Sequence, residues 1–366
     1  MEVESHPARL PIQALTPAAL AEAAAPLTVD EARRVISAVV RWGWSPTAPL
    51  AAQPRIMNVR RAALAAVRAV CTRPTLARLV ERASALDPFV KLLLETADGE
   101  RIETVRIPLE KPGRFSVCVS SQVGCALACS FCATGRLGLR RNLEAWEIVE
   151  QVHLVRGTLD LAAGQRVHGV VFQGMGEPLA NLDRVLAAIE VLSEPSGLAV
   201  EAKAITVCTA GLPSGIRRLA REAPKVRLGL SIGSALAATR RRLMPIEGAH
   251  PLDEVLEAVA EHARATGLAP MWAITPLAGV NDSAAEAAAL AALVHRFIAA
   301  AGVRPRLSLI PYNPIAADGT DPYARLGEGD EGAFRDALRA AGVFTHKRYS
   351  GGADVGAACG QLAGRD

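Results

Sequence analysis

Phe115-Ser116-Val117-Cys118-Val119-Ser120-Ser121-Gln122-Val123-Gly124-Cys125-Ala126-Leu127-Ala128-Cys129-Ser130-Phe131-Cys132 passes from an apolar stretch into a loop with the spacing C-x3-C-x2-C. Phe115–Ser120 has the composition of a strand, and the cysteine loop follows its end. Three soft thiolates in so short a span suit three irons of a [4Fe-4S] cube and leave the fourth iron free for a small molecule. A structural zinc site wants four ligands, and the nearest further cysteine, Cys118, is seven residues upstream. A disulfide framework does not suit a chain of this length whose cysteines number seven. Chance clustering is hard to credit with so few cysteines.

Downstream of this stretch the pattern is strand and helix in turn. Expected strands are Phe115–Ser120, His168–Gln173, Ala204–Thr209, Val226–Ile232, Pro270–Thr275, Arg306–Ile310 and Val343–Lys347. Helices are expected at Leu143–Arg156, Asn181–Leu192, Pro213–Arg221, Leu252–Ala265, Ala284–Ala301 and Glu331–Ala341. Repeated βα units imply a parallel sheet, open or closed into a barrel, with its chemistry at the C-terminal strand ends. Upstream, Phe89–Leu94 and Glu103–Ile107 flank Asp98-Gly99 and read as a β-hairpin. Residues 14–95 otherwise read as largely helical, with helices near Ala32–Trp42, Val59–Cys71 and Thr75–Ala85. The expected division is a helical N-terminal domain (1–87), a β-hairpin linker (88–114), a barrel core (115–349) and a C-terminal tail (350–366).

The chain has 366 residues, 50% of them hydrophobic, and a formal net charge of +4. That charge is too small to assign nucleic-acid binding by itself. The bases are nearly all arginine, however, and arginine both clamps phosphates and stacks on bases. Arg33, Arg34, Arg41, Arg55, Arg60, Arg61, Arg68, Arg73, Arg78 and Arg82 make the helical part basic, a reasonable RNA-docking surface. The same bias would follow from the base composition of a gene rich in Ala, Gly and Pro codons. No run of about 18 uncharged apolar residues is present, so no membrane span is expected. The polar start MEVESHPARLPIQ is neither a signal nor a transit peptide, and a cytoplasmic location is expected.

Several expected strand ends carry small or polar residues: Gln173-Gly174-Met175-Gly176-Glu177-Pro178-Leu179, Cys208-Thr209-Ala210-Gly211, Ser231-Ile232-Gly233-Ser234 and Pro311-Tyr312-Asn313-Pro314. Each alone reads as a tight turn. Together, beside a cluster loop, they suggest a bound polar cofactor. The tail Gly351-Gly352-Ala353-Asp354-Val355-Gly356-Ala357-Ala358-Cys359-Gly360-Gln361-Leu362 could carry its cysteine into a confined site, or hold it buried and inert.

Jointly these segments resemble the radical S-adenosylmethionine (SAM) RNA methyltransferases of the RlmN/Cfr type, as a divergent member. The resemblance rests on Cys118-Val119-Ser120-Ser121-Gln122-Val123-Gly124-Cys125, the triad Cys125/Cys129/Cys132, Arg141-Asn142-Leu143, the Gly174–Leu179 turn, Leu309–Pro314 and Ala357–Leu362. It implies a partial (β/α)6-type barrel and a [4Fe-4S] cluster on Cys125, Cys129 and Cys132. It also implies SAM contacts from Gly176, Glu177, Cys208, Ser231, Ile232, Gly233 and Asn313. In the family, a methyl group passes from SAM to the cysteine matching Cys359 and, after radical activation, to adenine in RNA. Cys118 would then release the product through a transient Cys118–Cys359 disulfide, with Glu103 as proton acceptor. Adenine C2 is expected ahead of C8, in rRNA or tRNA, with a reductant such as flavodoxin or ferredoxin and a monomeric enzyme. Three segments depart from the family pattern. Ser231-Ile232-Gly233-Ser234 stands for Ser-Leu-His-Ala, Cys208-Thr209-Ala210-Gly211 for Ser-Thr-Ser-Gly, and Tyr349–Asp354 for an Arg-Gly-Asp-Asp segment. They keep open a radical SAM enzyme acting on a non-RNA substrate, and a cluster-bearing RNA-binding module without turnover.

Overall fold

The computed structural model describes residues 9–315 and 320–364. Its centre is a ten-stranded mixed sheet. In chain order the strands are β1 (Ala77–Ala83), β2 (Val90–Glu95), β3 (Arg101–Pro108), β4 (Arg114–Val119), β5 (Arg166–Phe172), β6 (Ile205–Thr209), β7 (Arg227–Ser231), β8 (Met271–Ile274), β9 (Arg306–Leu309) and β10 (Thr345–Lys347). They are hydrogen-bonded side by side in that order. Strands β4 to β10 run parallel, whereas β1 to β4 form an antiparallel meander.

The sequential order of the parallel strands is that of a (β/α) barrel, but β10 does not pair with β4, so the ladder stays open. Helices Ala145–Gly157, Leu182–Ser193, Pro213–Glu222, Leu252–Thr266, Ala284–Ala301 and Glu328–Ala340 make the six crossovers. Parallel strands need such long connections, and helices supply them while covering the sheet. Valine, isoleucine and leucine from strands and helices merge into one continuous core. Helix Ala284–Ala301 is long and apolar enough to cross a membrane by length and composition alone. Its Leu290, Val294 and Phe297 are buried in the core, and Phe297 meets Trp272 edge-on at 5.0 Å.

A second core, from Ile12 to Cys71, belongs to the N-terminal helices Pro17–Ala23, Val29–Trp42 and Arg61–Val70. Thr28 and Glu31 close a capping box on the second of them, and Gly43 ends it in the left-handed region at φ +67°. The third expected helix, Thr75–Ala85, is instead the edge strand β1. Its side chains are mostly exposed, and backbone pairing with β2 sets its conformation. The sheet therefore begins inside the segment expected to be helical through residue 87. The hairpin of 88–114 is integral to it rather than a linker.

Candidate active site

The cysteine loop leaves β4 through a ribbon of Gln122–Cys125 against Gly138–Asn142. Gly124 takes φ +73° there, and Ala128 takes φ +51° inside the loop. Ser130 fastens the loop to the opposite wall, its N–H donating to the Leu243 carbonyl at 3.0 Å and its hydroxyl lying 2.6 Å from that of Tyr323. Cys125, Cys129 and Cys132 line a single cavity of about 140 Å3 with Gly176, Glu177, Cys208 and Ser231. These are the C-terminal ends of β5, β6 and β7. The loop offers three thiols, and the cavity's other donors, Glu177 and the Cys208 thiol, come from separate strand ends. Among the described residues, no three His, Cys, Asp or Glu side chains are placed to hold a single metal ion. A cube, whose irons stand apart, suits three thiols spread around one cavity better than mononuclear zinc does. Burial pushes the Cys125 thiol up to about 11 and the Cys129 thiol far up. Coordination by a cationic cluster is what would hold them as thiolates.

Gly176 takes φ +100°, and a Cβ there would lie 2.6 Å from Cβ of Gln122, so only glycine fits the cradle. Glu177 is 3% exposed and accepts hydrogen bonds from the N–H groups of Leu179 (3.0 Å) and Ala210 (2.9 Å). Burial nevertheless outweighs those bonds and raises its carboxyl to about 7. Because the folded value lies above the ordinary 4.5, this group costs stability as pH rises from about 4.5 to about 7. A cationic ligand that needs the carboxylate must first displace the proton. If SAM is the ligand that meets Glu177, its affinity for the reconstituted protein should fall with pH below about 7, approaching tenfold per unit well below that value. Titration calorimetry across pH should show that slope, flattened in Glu177→Gln.

Arg240 is fully buried behind the cavity. It pairs with Glu247 and donates to the carbonyls of Ile232 (2.9 Å) and Ala210 (2.8 Å). Ile232 and Gly233 are not among the residues lining the cavity. Ile232 is fully buried. Gly233 sits at φ +71°, its carbonyl accepting from Asn281 Nδ2 at 2.6 Å, and a Cβ there would collide with Met244 Sδ. Asn313 does not line the cavity either. Its amide donates to Ser350 Oγ (2.9 Å) and to the Cys359 carbonyl (3.3 Å), holding the tail.

That tail lies beside the cluster loop. Ala133 N–H donates to the Gly360 carbonyl at 2.8 Å, and Thr134 Oγ1 to that of Leu362 at 2.6 Å. Cys359 and Cys118 together line a second, smaller cavity of about 60 Å3 with Arg348 and Ser350. Gln173 borders both cavities. All seven cysteines carry free thiols. Cys118 is 8% exposed, and burial pushes its thiol far up, with Arg348 pulling the other way. Glu103 is 1% exposed, pairs with Lys91 at 2.8 Å, and accepts the N–H groups of Ala363 (2.7 Å) and Gly364 (3.3 Å). Leaving either charge of so buried a pair alone would cost several kcal/mol.

No site role is read from the sequence for Lys91, Gln173, Arg240, Arg348 or Ser350. Lys91 on a hydrophobic strand was the visible clue. A roomier cavity, about 620 Å3, lies elsewhere, between helices Leu182–Ser193 and Pro213–Glu222, and holds none of these groups.

An open parallel barrel with a three-cysteine loop at its C-terminal mouth defines a radical SAM protein, and residues 119–291 match the radical SAM superfamily. A probable RNA methyltransferase of Sorangium cellulosum is 60% identical over 92% of this chain and 88% of its own length. The dual-specificity RNA methyltransferase RlmN of Syntrophobacter fumaroxidans is 43% identical over 78% of this chain and 79% of its own. The crystal structure of a radical SAM methyltransferase from Sphaerobacter thermophilus superposes with a TM-score of 0.85 at 34% identity, covering 97% of this chain and all of that one. The chain belongs to the radical SAM RNA methyltransferases of the RlmN type.

Proposed function

We propose that this enzyme methylates an adenine of rRNA or tRNA at C2 through a methyl group carried on Cys359. The observation that carries the reading is the tail: it brings Cys359 into one small cavity with Cys118, directly beside the cavity of the three loop cysteines. Bound together, a [4Fe-4S] cluster and SAM supply one-electron chemistry, which an electron-poor ring carbon such as adenine C2 or C8 requires. Cys125, Cys129 and Cys132 would hold the cluster, and Glu177 and the Gly176 cradle would take the cofactor's amino end.

The remaining steps belong to the protein's own groups. Cys359 first accepts a methyl group on sulfur. Once that carbon is joined to the base, Cys118 attacks the Cys359 sulfur. An S–S bond forms, the S–C bond breaks, and the departing carbon keeps the electron pair and takes a proton to become the methyl group. Glu103 takes the ring proton after the tail's Ala363 and Gly364 N–H groups let go of it. Both sulfurs are left oxidised as a disulfide, so two electrons from a reductant restore them. The target base must leave its stack to reach this depth. Nucleoside mass spectrometry of rRNA and tRNA with and without the gene is the test. Loss of 2-methyladenosine is expected; loss of 8-methyladenosine would move the target to C8, and no loss of either would remove adenine from the proposal.

A further inference from the structure

The barrel has a second opening. At the N-terminal ends of the strands a cavity of about 580 Å3 is lined by Ser116, His168, Thr206, Arg227, Met271 and Arg348, among others. Side chains two apart on a strand share a face and lie about 6.6 Å apart along it. Ser116 therefore sits one layer below Cys118, and Thr206 one layer below Cys208. Gly229, two residues along from Arg227, has no side chain of its own at that level, and the Cys208 sulfur and Met271 Cε fill the place instead: a Cβ there would lie 2.8 Å from that sulfur. Ile107 and Arg348 line both this cavity and the small one holding Cys118 and Cys359. The lumen thus approaches the thiols from the side opposite the cluster loop.

Its charge is one-sided. Lys203, Arg227, Arg348 and the titratable His168 face a single lining carboxylate, Glu201, which is itself paired with Lys203 at 3.1 Å. Arg348 spends its Nη1 on uncharged partners, Gln173 Oε1 at 3.4 Å and Met271 Sδ at 3.9 Å. A guanidinium at the inner end, sharing the small cavity with the Cys118 and Cys359 thiols, both attracts an anion and favours a leaving thiolate.

We propose that this lower cavity binds a small anionic thiol, which reduces the Cys118–Cys359 disulfide from beneath while RNA covers the upper mouth. The inference rests on the disulfide of the proposed function. The incoming thiolate attacks one sulfur of the disulfide, forming a mixed disulfide and releasing the other cysteine as a thiolate. A second molecule attacks the mixed disulfide, and the two reductant thiols leave joined to each other as both cysteines regain their protons.

The test begins by mapping the Cys118–Cys359 disulfide by mass spectrometry in protein taken after one turnover. Its reduction is then timed with 2-mercaptoethanesulfonate and with cysteamine, each rate divided by that on a small model disulfide. The anionic thiol should be at least about tenfold faster, the scale of electrostatic focusing in a charged cleft. Arg227→Glu should erase that preference while leaving single-turnover methylation unchanged. Equal normalised rates, or a preference that survives Arg227→Glu, would overturn this inference and leave the methylation reading intact. A missing disulfide in the mapping step would overturn both.

Discussion

Cys359→Ala is expected to stop methyl transfer to RNA, by about 10⁴-fold or more, because a group whose loss interrupts a covalent relay leaves no partial route. The substitution should leave the fold alone. The tail is anchored through main-chain atoms: the Cys359 N–H and carbonyl meet Ser350 and Asn313, and the Gly360 and Leu362 carbonyls meet Ala133 and Thr134. None of these involves the thiol. The variant should therefore keep its iron and still cleave SAM, so that 5′-deoxyadenosine without methylated RNA is the expected signature. Methylated RNA from the purified variant would end the proposal that Cys359 carries the carbon.

Cys129→Ser should remove the earlier step as well. Cys129 lies at the centre of the triad, in a loop whose geometry permits little change. Its carbonyl accepts the Cys132 N–H at 3.1 Å, and a Cβ on Gly135 would lie 2.8 Å from that same oxygen. A serine oxygen is too hard a ligand for an iron–sulfur cluster. The expected result after anaerobic reconstitution is loss of the iron-linked absorbance, with neither 5′-deoxyadenosine nor methylated RNA formed. Intact absorbance in this variant would mean that the triad is not the ligand set. The two variants separate chemistry before the tail from chemistry on it.

The barrel was legible because its signals are local. Each βα unit alternates a β-branched run with an amphipathic stretch, and all seven strands and six helices fall where the pattern puts them, with ends displaced by a few residues. Thr75–Ala85 was misread because Leu76, Leu79, Val80 and Ala83 recur at helical intervals, whereas pairing with Val90–Glu95 decides the backbone. The site was legible where cysteine and glycine spacing carries it. It was illegible where partners come from far along the chain: Lys91 with the tail-holding Glu103, Arg348 beside Gln173, Asn313 beneath Cys359. Asn313 is expected among the SAM contacts, and the structure adds a tie that the sequence does not suggest, its amide donating to Ser350 and to the Cys359 carbonyl.

Gly233 stands where the pattern the chain resembles has histidine, and its φ of +71° together with the Met244 sulfur above it sets two obstacles to any side chain there. The two positions are locked to each other. An imidazole placed at 233 would have to adopt the left-handed backbone angle and displace the Met244 side chain. The thioether can swing aside, whereas the bend at φ +71° strains any residue that carries a Cβ. Substitution at this corner of the barrel is thereby coupled to the placement of Met244.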